Sequence, residues 1–296
     1  MNKENMRSLT RSFYDAQKLR IMAGNRIVAN IRVRMGQAPG KPTDEMDEEG
    51  KKLLETVALE YRRITDGLVQ PTRRVLIAKI TELESGVITD QFEFALAAYY
   101  MTLLDREHDL EVSIKEMVEQ FPLWEQFLSK VKGCGPLMSA VILSELDPYK
   151  ARHVSSFWKY AGLDVAEDGK GRSKRAEHLI DVEYVNKRGE KATKKSITYN
   201  PFLKAKLAGV LSGSFLRCAS PYSEVYYNYK ARLENRPDLA EARPIVRHRM
   251  ALRYMMKMFL RDLWLTWREI EGLPVTADYA TAKLGIVHGA EMVPAS

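Results

Sequence analysis

The stretch KVKGCGPLMSAVILSEL, residues 130 to 146, sets Gly133 and Gly135 around Cys134, with Pro136 next and an apolar run behind it. A string of this kind can hold a phosphate. Two glycines allow a sharp turn, because glycine tolerates φ > 0. Proline suits the first position of the following helix, where its missing N–H is not needed. The free N–H groups at that helix start, around Gly135, Leu137 and Met138, would face an anion, with Lys132 beside them. This is the pattern of a helix-hairpin-helix unit. A tight turn between two core helices uses the same residues, and the string alone leaves both readings open.

Two further groups of residues point to the same chemistry. Between Gly169 and Lys206 there are eleven Lys or Arg and only four Asp or Glu. Arg172, Lys174, Arg175, Lys194, Lys195 and Lys204 belong to this set. Farther on, Arg249, Arg253, Lys257 and Arg261 recur every four residues, with almost no acid until Asp262. Such a helical stripe repels itself unless an anion lies on it. Basic clustering is the expected footprint of nucleic acid, while a solvated face is the alternative. Tyr222, Tyr226, Tyr227 and Tyr229 could stack on bases only if their rings are exposed, and otherwise pack.

These groups must be placed by helices. Met6, Leu9, Phe13 and Ala16, then Gly24, Val28, Ile31 and Met35, step by three and four, which predicts a long basic helix over residues 1 to 35. GQAPGKPTDEMDEEG (36–50) is a loop, and Thr43 or Asp44 is the expected cap of the next helix. That helix carries Leu53, Val57, Tyr61, Ile64 and Leu68 on one face, and Pro71 interrupts or ends it. A shorter helix follows over about 72–84. Phe92, Leu96, Tyr99, Leu103, Leu110, Ile114, Met117 and Phe121 keep a seven-residue beat that Arg106 breaks once, predicting one helix from Thr89 to about Gln120. Its length suits a coiled-coil arm, and a plain core helix is the alternative. Beyond the glycine turn, SSFWKYAGL reads as helix and VAEDGKGRSKR as a polar loop. β-prone flanks around Asn186-Lys187-Arg188-Gly189 predict a hairpin near 178–199. Helices are expected again after Asn200-Pro201, over 222–235 and over 245–271. The expected class is mainly α, with a helical coiled-coil-like region over 1–125, a helix-hairpin-helix domain over 126–271 holding one small β-hairpin, and an irregular tail over 272–296.

The 296 residues allow one large domain or two ordinary ones, and 45% hydrophobic content suffices for a core. The net charge of +7 favours a polyanionic partner. Cys134 and Cys218 form no disulfide framework, and with five scattered histidines they show no zinc spacing. No metal site and no cofactor is expected. The polar start MNKENMRSLTRSFYD is no secretory signal, and no apolar run reaches the length of a membrane span. A cytoplasmic protein is expected.

FLSKVKGCGPLMSAVILSELDPYKARHVSSFWKYAGL (127–163) resembles the C-terminal domain of the IS one-ten/IS one-sixteen group of insertion-sequence transposases. The shared order is a Gly-x-Gly-Pro hairpin, a small-residue helix, and an element ending here in Tyr160-Ala161-Gly162-Leu163. SITYNPFLKAKLAGVL (196–211), YYNYKARLE (226–234) and RHRMALRYMMKMFLRDLW (247–264) are similar to later helices of that group. The 89–120 helix and the basic first helix resemble its coiled-coil region. The resemblance implies DNA as partner, DNA recombination as setting, and a mobile genetic element as source. It also implies a nucleophilic serine soon after the YAGL element. Ser173 in GKGRSKRAE is the nearest candidate, flanked by Arg172, Lys174 and Arg175, which could lower its pKa or hold a phosphate. The serine-glycine pairing of the group is absent, no general base is legible near Ser173, and Ser196 is a weaker alternative. Members of the group begin with a RuvC-like domain that carries four acidic metal ligands on a mixed sheet, and nothing before residue 130 reads as that sheet. Asp105, Glu107, Asp109 and Glu111 lie along a helix and read as a solvated flank.

The expected function is therefore a transposase-related protein that grips DNA, or structured RNA, through backbone phosphates without a metal nuclease domain of its own. A homo-oligomer through the helical arm is possible on this reading. A diverged transposase or recombinase using Ser173 is the enzymatic alternative. A purely structural scaffold fits the arm but not the basic stripe.

Overall fold

The computed structural model describes residues 3–39, 46–69, 72–83 and 86–275. Among them the protein is mainly α, with one two-stranded antiparallel hairpin. The described residues divide into two compact units, one within residues 8–113 and one of residues 3–7 with 114–275. The division falls within the first and the fourth helix.

In the unit of residues 8–113, α1 (Lys3–Arg34), α2 (Glu48–Thr65), α3 (Arg73–Glu82) and α4 (Gln91–Glu119) enclose a core that includes Ile27, Ile31, Val57, Ile64, Ile80, Ala97 and Tyr100. Gly24 lets α1 come close, since a Cβ there would lie 2.9 Å from Leu54 Cδ2 and 3.3 Å from the Tyr100 ring. Asp47, not Thr43 or Asp44, caps α2 by accepting the Gly50 N–H at 2.7 Å. Thr43 and Asp44 lie outside the described residues. Buried Glu60 accepts the N–H groups of Val87 and Ile88, which satisfies donors that enter α4 without helical partners. Glu107 is held by Arg20 and by Gln17 at 3.1 Å, and Asp109 by Arg106 at 3.0 Å, so half of the acidic run on α4 is committed to ion pairs. The seven-residue beat of α4 turns out to lie partly outside. Phe92, Leu96 and Tyr99 are exposed, while Ala97, Tyr100, Met101, Ile114 and Val118 are buried.

The other unit contains α5 (Pro122–Gln126), a 3-10 turn (Leu128–Lys130), α6 (Pro136–Glu145), α7 (Val154–Tyr160), β1 (Ile180–Val185), β2 (Lys191–Ser196), α8 (Pro201–Ala205), a π-helical segment (Lys206–Leu211), α9 (Ser212–Arg217), α10 (Pro221–Glu234) and α11 (Pro244–Ile270). Its centre is α6, apolar on every side and buried from Met138 to Glu145, as a helix enclosed by others should be. Its long outer helix is α11, which buries Met255, Met256, Phe259, Leu263, Trp264 and Trp267 along one stripe. Phe259 meets Phe215 and Tyr222 edge-on, with ring centroids 5.3 and 5.4 Å away. Arg268 is buried beside Trp264 and donates to the carbonyls of Pro148 and Ala151, which bind the α11 end to the loop before α7, and to that of Pro274 just past the helix. The hairpin forms as the turn chemistry requires, with Gly189 at φ +80° and Ile180 paired with Ser196.

The glycine turn between the 3-10 segment and α6 uses its two glycines differently. Gly133 has φ +90°, and a Cβ there would lie 3.0 Å from Ser214 Oγ and 3.2 Å from the Ser214 backbone carbon. Ser214 Oγ also donates to the Gly133 carbonyl at 2.9 Å. Gly135 is extended, with φ −75° and ψ 175°, and nothing lies within 4 Å of its Cβ position. Only Gly133 needs to be glycine for its backbone.

Candidate nucleic-acid interface

The site is built around the loop that follows α7. Gly162 ends α7 at φ +64°. The chain then doubles back on itself: Val165 bridges Gly171, Arg172 N–H donates to the Asp164 carbonyl at 3.1 Å, and Ala166 N–H donates to that of Lys170 at 2.8 Å. Gly169 turns the tip at φ +73°. The result is a short, cross-linked loop whose outgoing end carries Arg172 and Ser173.

Four cations meet against this loop. Arg172 holds Asp164 Oδ2 through Nε at 3.1 Å and Nη2 at 2.8 Å. Lys204, from α8, donates to the Arg172 carbonyl and stands 4.5 Å over the Tyr199 ring. Arg253, from α11, lies against Gly171, where a Cβ would fall 1.6 Å from Arg253 Nη1. Lys257, one turn farther along α11, sits 5.1 Å over the Trp158 ring, and Trp158 Nε1 donates to the Lys257 carbonyl at 3.0 Å. Burial pushes the Arg253 guanidinium below its ordinary value. Burial, and then the charge of Arg253, do the same to the ammonium groups of Lys204 and Lys257. Asp164 is the carboxylate that these three share; Arg172 holds its Oδ2, while its Oδ1 is buried without a hydrogen-bond partner. The cluster is therefore half-buried, positively charged and undercompensated, which is the electrostatic condition for taking up an anion.

Gly171 offers a direct handle on this geometry. In Gly171→Ala the new methyl must displace the Arg253 guanidinium, which is the flexible end of a long side chain. Affinity for an anion held by the cluster is expected to fall roughly 10-fold, the value of one charge-assisted contact, with little change in melting temperature. Anisotropy titration beside thermal unfolding checks both halves.

Ser173 continues from Arg172, and the 3-10 turn Ala176–His178 folds a histidine back onto it. The Ser173 hydroxyl lies 3.0 Å from His178 Nδ1, and the Ser173 N–H donates to the same nitrogen at 2.9 Å. The N–H contact makes Nδ1 an acceptor and leaves the ring proton on Nε2. Nε2 is buried 3.2 Å from Asp168 Oδ2, off the axis of a well-aligned hydrogen bond. Asp168 Oδ1 accepts the Lys170 N–H at 2.9 Å, which, with the His178 contact, holds its carboxyl below the usual range. An imidazole that the sequence did not reveal thus stands within hydrogen-bond reach of Ser173. Asp168, Ser173 and His178 are spaced five apart, a regularity no helix or strand period would flag.

The remaining sequence candidates sit elsewhere on this unit. Lys174 and Arg175 are exposed just past Ser173, with Arg175 3.9 Å from Asp168. Arg249 is exposed one turn before Arg253, and Arg261 is paired with Asp262 at 2.8 Å. Lys195 pairs with Asp181 at 2.8 Å and Lys194 lies over Tyr184, both on the hairpin, where Ser196 ends β2. Lys132, Gly133, Gly135 and Leu137 form the α6 turn, where Lys132 and Gly135 are exposed. Tyr222 and Tyr226 are buried and bonded to Asp262 and His248, and Tyr229 stacks on Tyr254, so Tyr227 is the exposed ring of the four.

Residues 125–198 match a family model described as Transposase IS116/IS110/IS902 family. The match takes in the glycine turn, the looped site with Ser173 and His178, and the hairpin, about a quarter of the chain. Over this segment the relation to insertion-sequence transposases holds. Neither a curated protein nor a solved structure matches the chain. No helix among the described residues is long and apolar enough to cross a membrane.

Proposed function

We propose that this transposase-related chain binds DNA through backbone phosphates, with the cluster of Arg172, Lys204, Arg253 and Lys257 as the principal grip. The observation that carries this reading is the meeting of four cations from three elements, the loop after α7, α8 and α11, around the one carboxylate of Asp164. Lys174, Arg175, Arg249, Lys194, Lys195 and the turn of Lys132, Gly133, Gly135 and Leu137 extend the surface along which a polyanion would run. Contacts of this kind position a nucleic acid without reading its sequence. The helical unit within residues 8–113 serves association rather than metal nuclease chemistry, with the exposed Phe92, Leu96 and Tyr99 on α4 as the surface for a second copy.

The test is a titration against duplex DNA, branched DNA and RNA at constant ionic strength, repeated at two pH values. Affinity for DNA is expected to be sequence-independent. It should also weaken as pH rises, beginning below the ordinary lysine pKa of about 10.4. The sign follows from the lowered lysine pKa values. A bound phosphate favours the charged form of Lys204 and Lys257, so binding takes up protons and is lost as pH rises through those lowered values. Affinity that is flat with pH would remove these lysines from the interface, and preference for RNA would reassign the partner.

A second reading is favoured by one observation, the Ser173 hydroxyl resting on a buried histidine. In that reading the chain is a diverged transposase or recombinase, with Ser173 as nucleophile toward a phosphate held in the same cluster.

A further inference from the structure

We infer that His178 is the group that takes the proton from Ser173, with Asp168 as its positioning residue, so that the loop carries an activated serine directed at phosphate esters. This rests on the second reading above and adds the acid-base machinery to it. A serine hydroxyl is a weak nucleophile until an adjacent base removes its proton. His178 meets the geometric requirement, since Nδ1 is 3.0 Å from Ser173 Oγ. The backbone N–H of Ser173 fixes the tautomer, because Nδ1 must present its lone pair to accept that bond, which gives way when Nδ1 takes the Oγ proton. Asp168 stands 3.2 Å from the opposite nitrogen, where it favours a proton on Nε2 and the imidazolium that forms when Nδ1 is also protonated. The ring is buried and Ser173 is only half-buried, so the base is held rigidly while the hydroxyl can meet a substrate.

The chemistry balances without any further reagent. Ser173 Oγ forms a bond to phosphorus as the bond from phosphorus to one sugar oxygen breaks. The Oγ proton passes to His178 Nδ1 and from there to the departing sugar oxygen. The products are a phosphoserine link to one strand end and a free hydroxyl on the other. Lys204 and Arg253, which meet Arg172 and Gly171 just before Ser173, with Lys257 beside them, would offset the charge that accumulates on the non-bridging oxygens in such a transfer.

The competing account is that His178 only caps the loop by accepting the Ser173 N–H. His178→Gln separates the two, because a glutamine oxygen can accept that N–H but cannot carry the proton. The experiment treats the full chain with a fluorophosphonate probe, which attaches to an activated serine with loss of fluoride, and follows mass and labelling rate. Labelling is expected at Ser173 and absent in Ser173→Ala. His178→Gln should label about 100-fold more slowly or worse, the usual value of a positioned base, with melting temperature and DNA affinity kept. Asp168→Asn should fall between the two, and Asp168→Glu should recover part of the rate. Added imidazole should restore labelling in His178→Ala. If wild-type protein labels at Ser173 and folded His178→Gln labels equally fast, the assignment of His178 fails while the serine reading stands. The same follows if a folded His178→Ala protein shows no recovery with imidazole. If wild-type Ser173 takes no label at all, the serine reading fails and this inference with it.

Discussion

Replacing Arg253 and Lys257 together by alanine is expected to lower affinity for duplex DNA about 100-fold at moderate salt, two charge-assisted contacts of roughly 1.4 kcal/mol each. The two side chains come from successive turns of α11 and converge with Lys204 and Arg172 on the loop after α7. Among the described residues neither makes an ion pair with a carboxylate, so removing them strands no partner. Their mutual repulsion disappears at the same time, and melting should shift by no more than a few degrees. The loss should be equal on unrelated sequences, since phosphate contacts carry no base information. Arg249→Ala, exposed one turn earlier on the same helix, should cost less, because a solvated charge interacts more weakly than a half-buried one. Affinity unchanged in the double variant, measured by anisotropy, would place the grip on another surface.

Gly133→Val should destabilise the protein by about 3–5 kcal/mol, which combines a backbone held in a disfavoured region with an overpacked contact. Gly133 sits at φ +90° with a Cβ position 3.2 Å from the backbone carbon of Ser214, which cannot move without shifting α9. A drop of about 10 °C or more in melting temperature is the expected reading. Gly135→Val, two residues on, should cost less than about 1 kcal/mol, because its backbone is extended and its surroundings are open. The pair distinguishes the two roles of the turn. If Gly135→Val keeps its stability and loses DNA affinity, the α6 start belongs to the phosphate-binding surface. If it keeps both, the turn serves packing alone. A Gly133→Val protein as stable as wild type would contradict the packing described.

Much of the scaffold was legible because its helices are long and periodic. The three- and four-residue steps from Met6 to Met35 mark α1, and the stripe from Arg249 to Arg261 opposite Met255, Met258, Phe259 and Trp264 marks α11. The hairpin was marked by its Asn-Lys-Arg-Gly tip, since Gly189 supplies the positive φ that the turn requires. The buried side of α4 was not legible. A repeat of Phe92, Leu96 and Tyr99 reveals an apolar stripe, but which stripe faces the core depends on α1 and α2, and here small Ala97 with Tyr100 faces it. The π-helical segment at Lys206–Leu211 carries no compositional mark of its own. Within the site, Arg172, Lys204, Arg253 and Lys257 were each named from basic clustering. Their convergence was not, because it depends on the absence of a side chain at Gly171 and on the crossing of α11 behind it. His178 and Asp168 were missed for the opposite reason. They are local to Ser173, but a looped backbone has no period from which to infer that residues five apart will touch.

The most direct measurement of the central claim is the slope of log affinity against log salt for the full chain on duplex DNA, taken on two unrelated sequences and on the Arg253→Ala, Lys257→Ala double variant. Each phosphate neutralised contributes about 0.9 to the slope on B-form DNA. With Lys204, Arg253 and Lys257 each meeting a phosphate, wild type should show a slope of roughly −2.7 or steeper on both sequences, and the double variant should be shallower by roughly 1.8. A wild-type slope near zero, or one that the double variant leaves unchanged, would contradict a phosphate grip at this cluster.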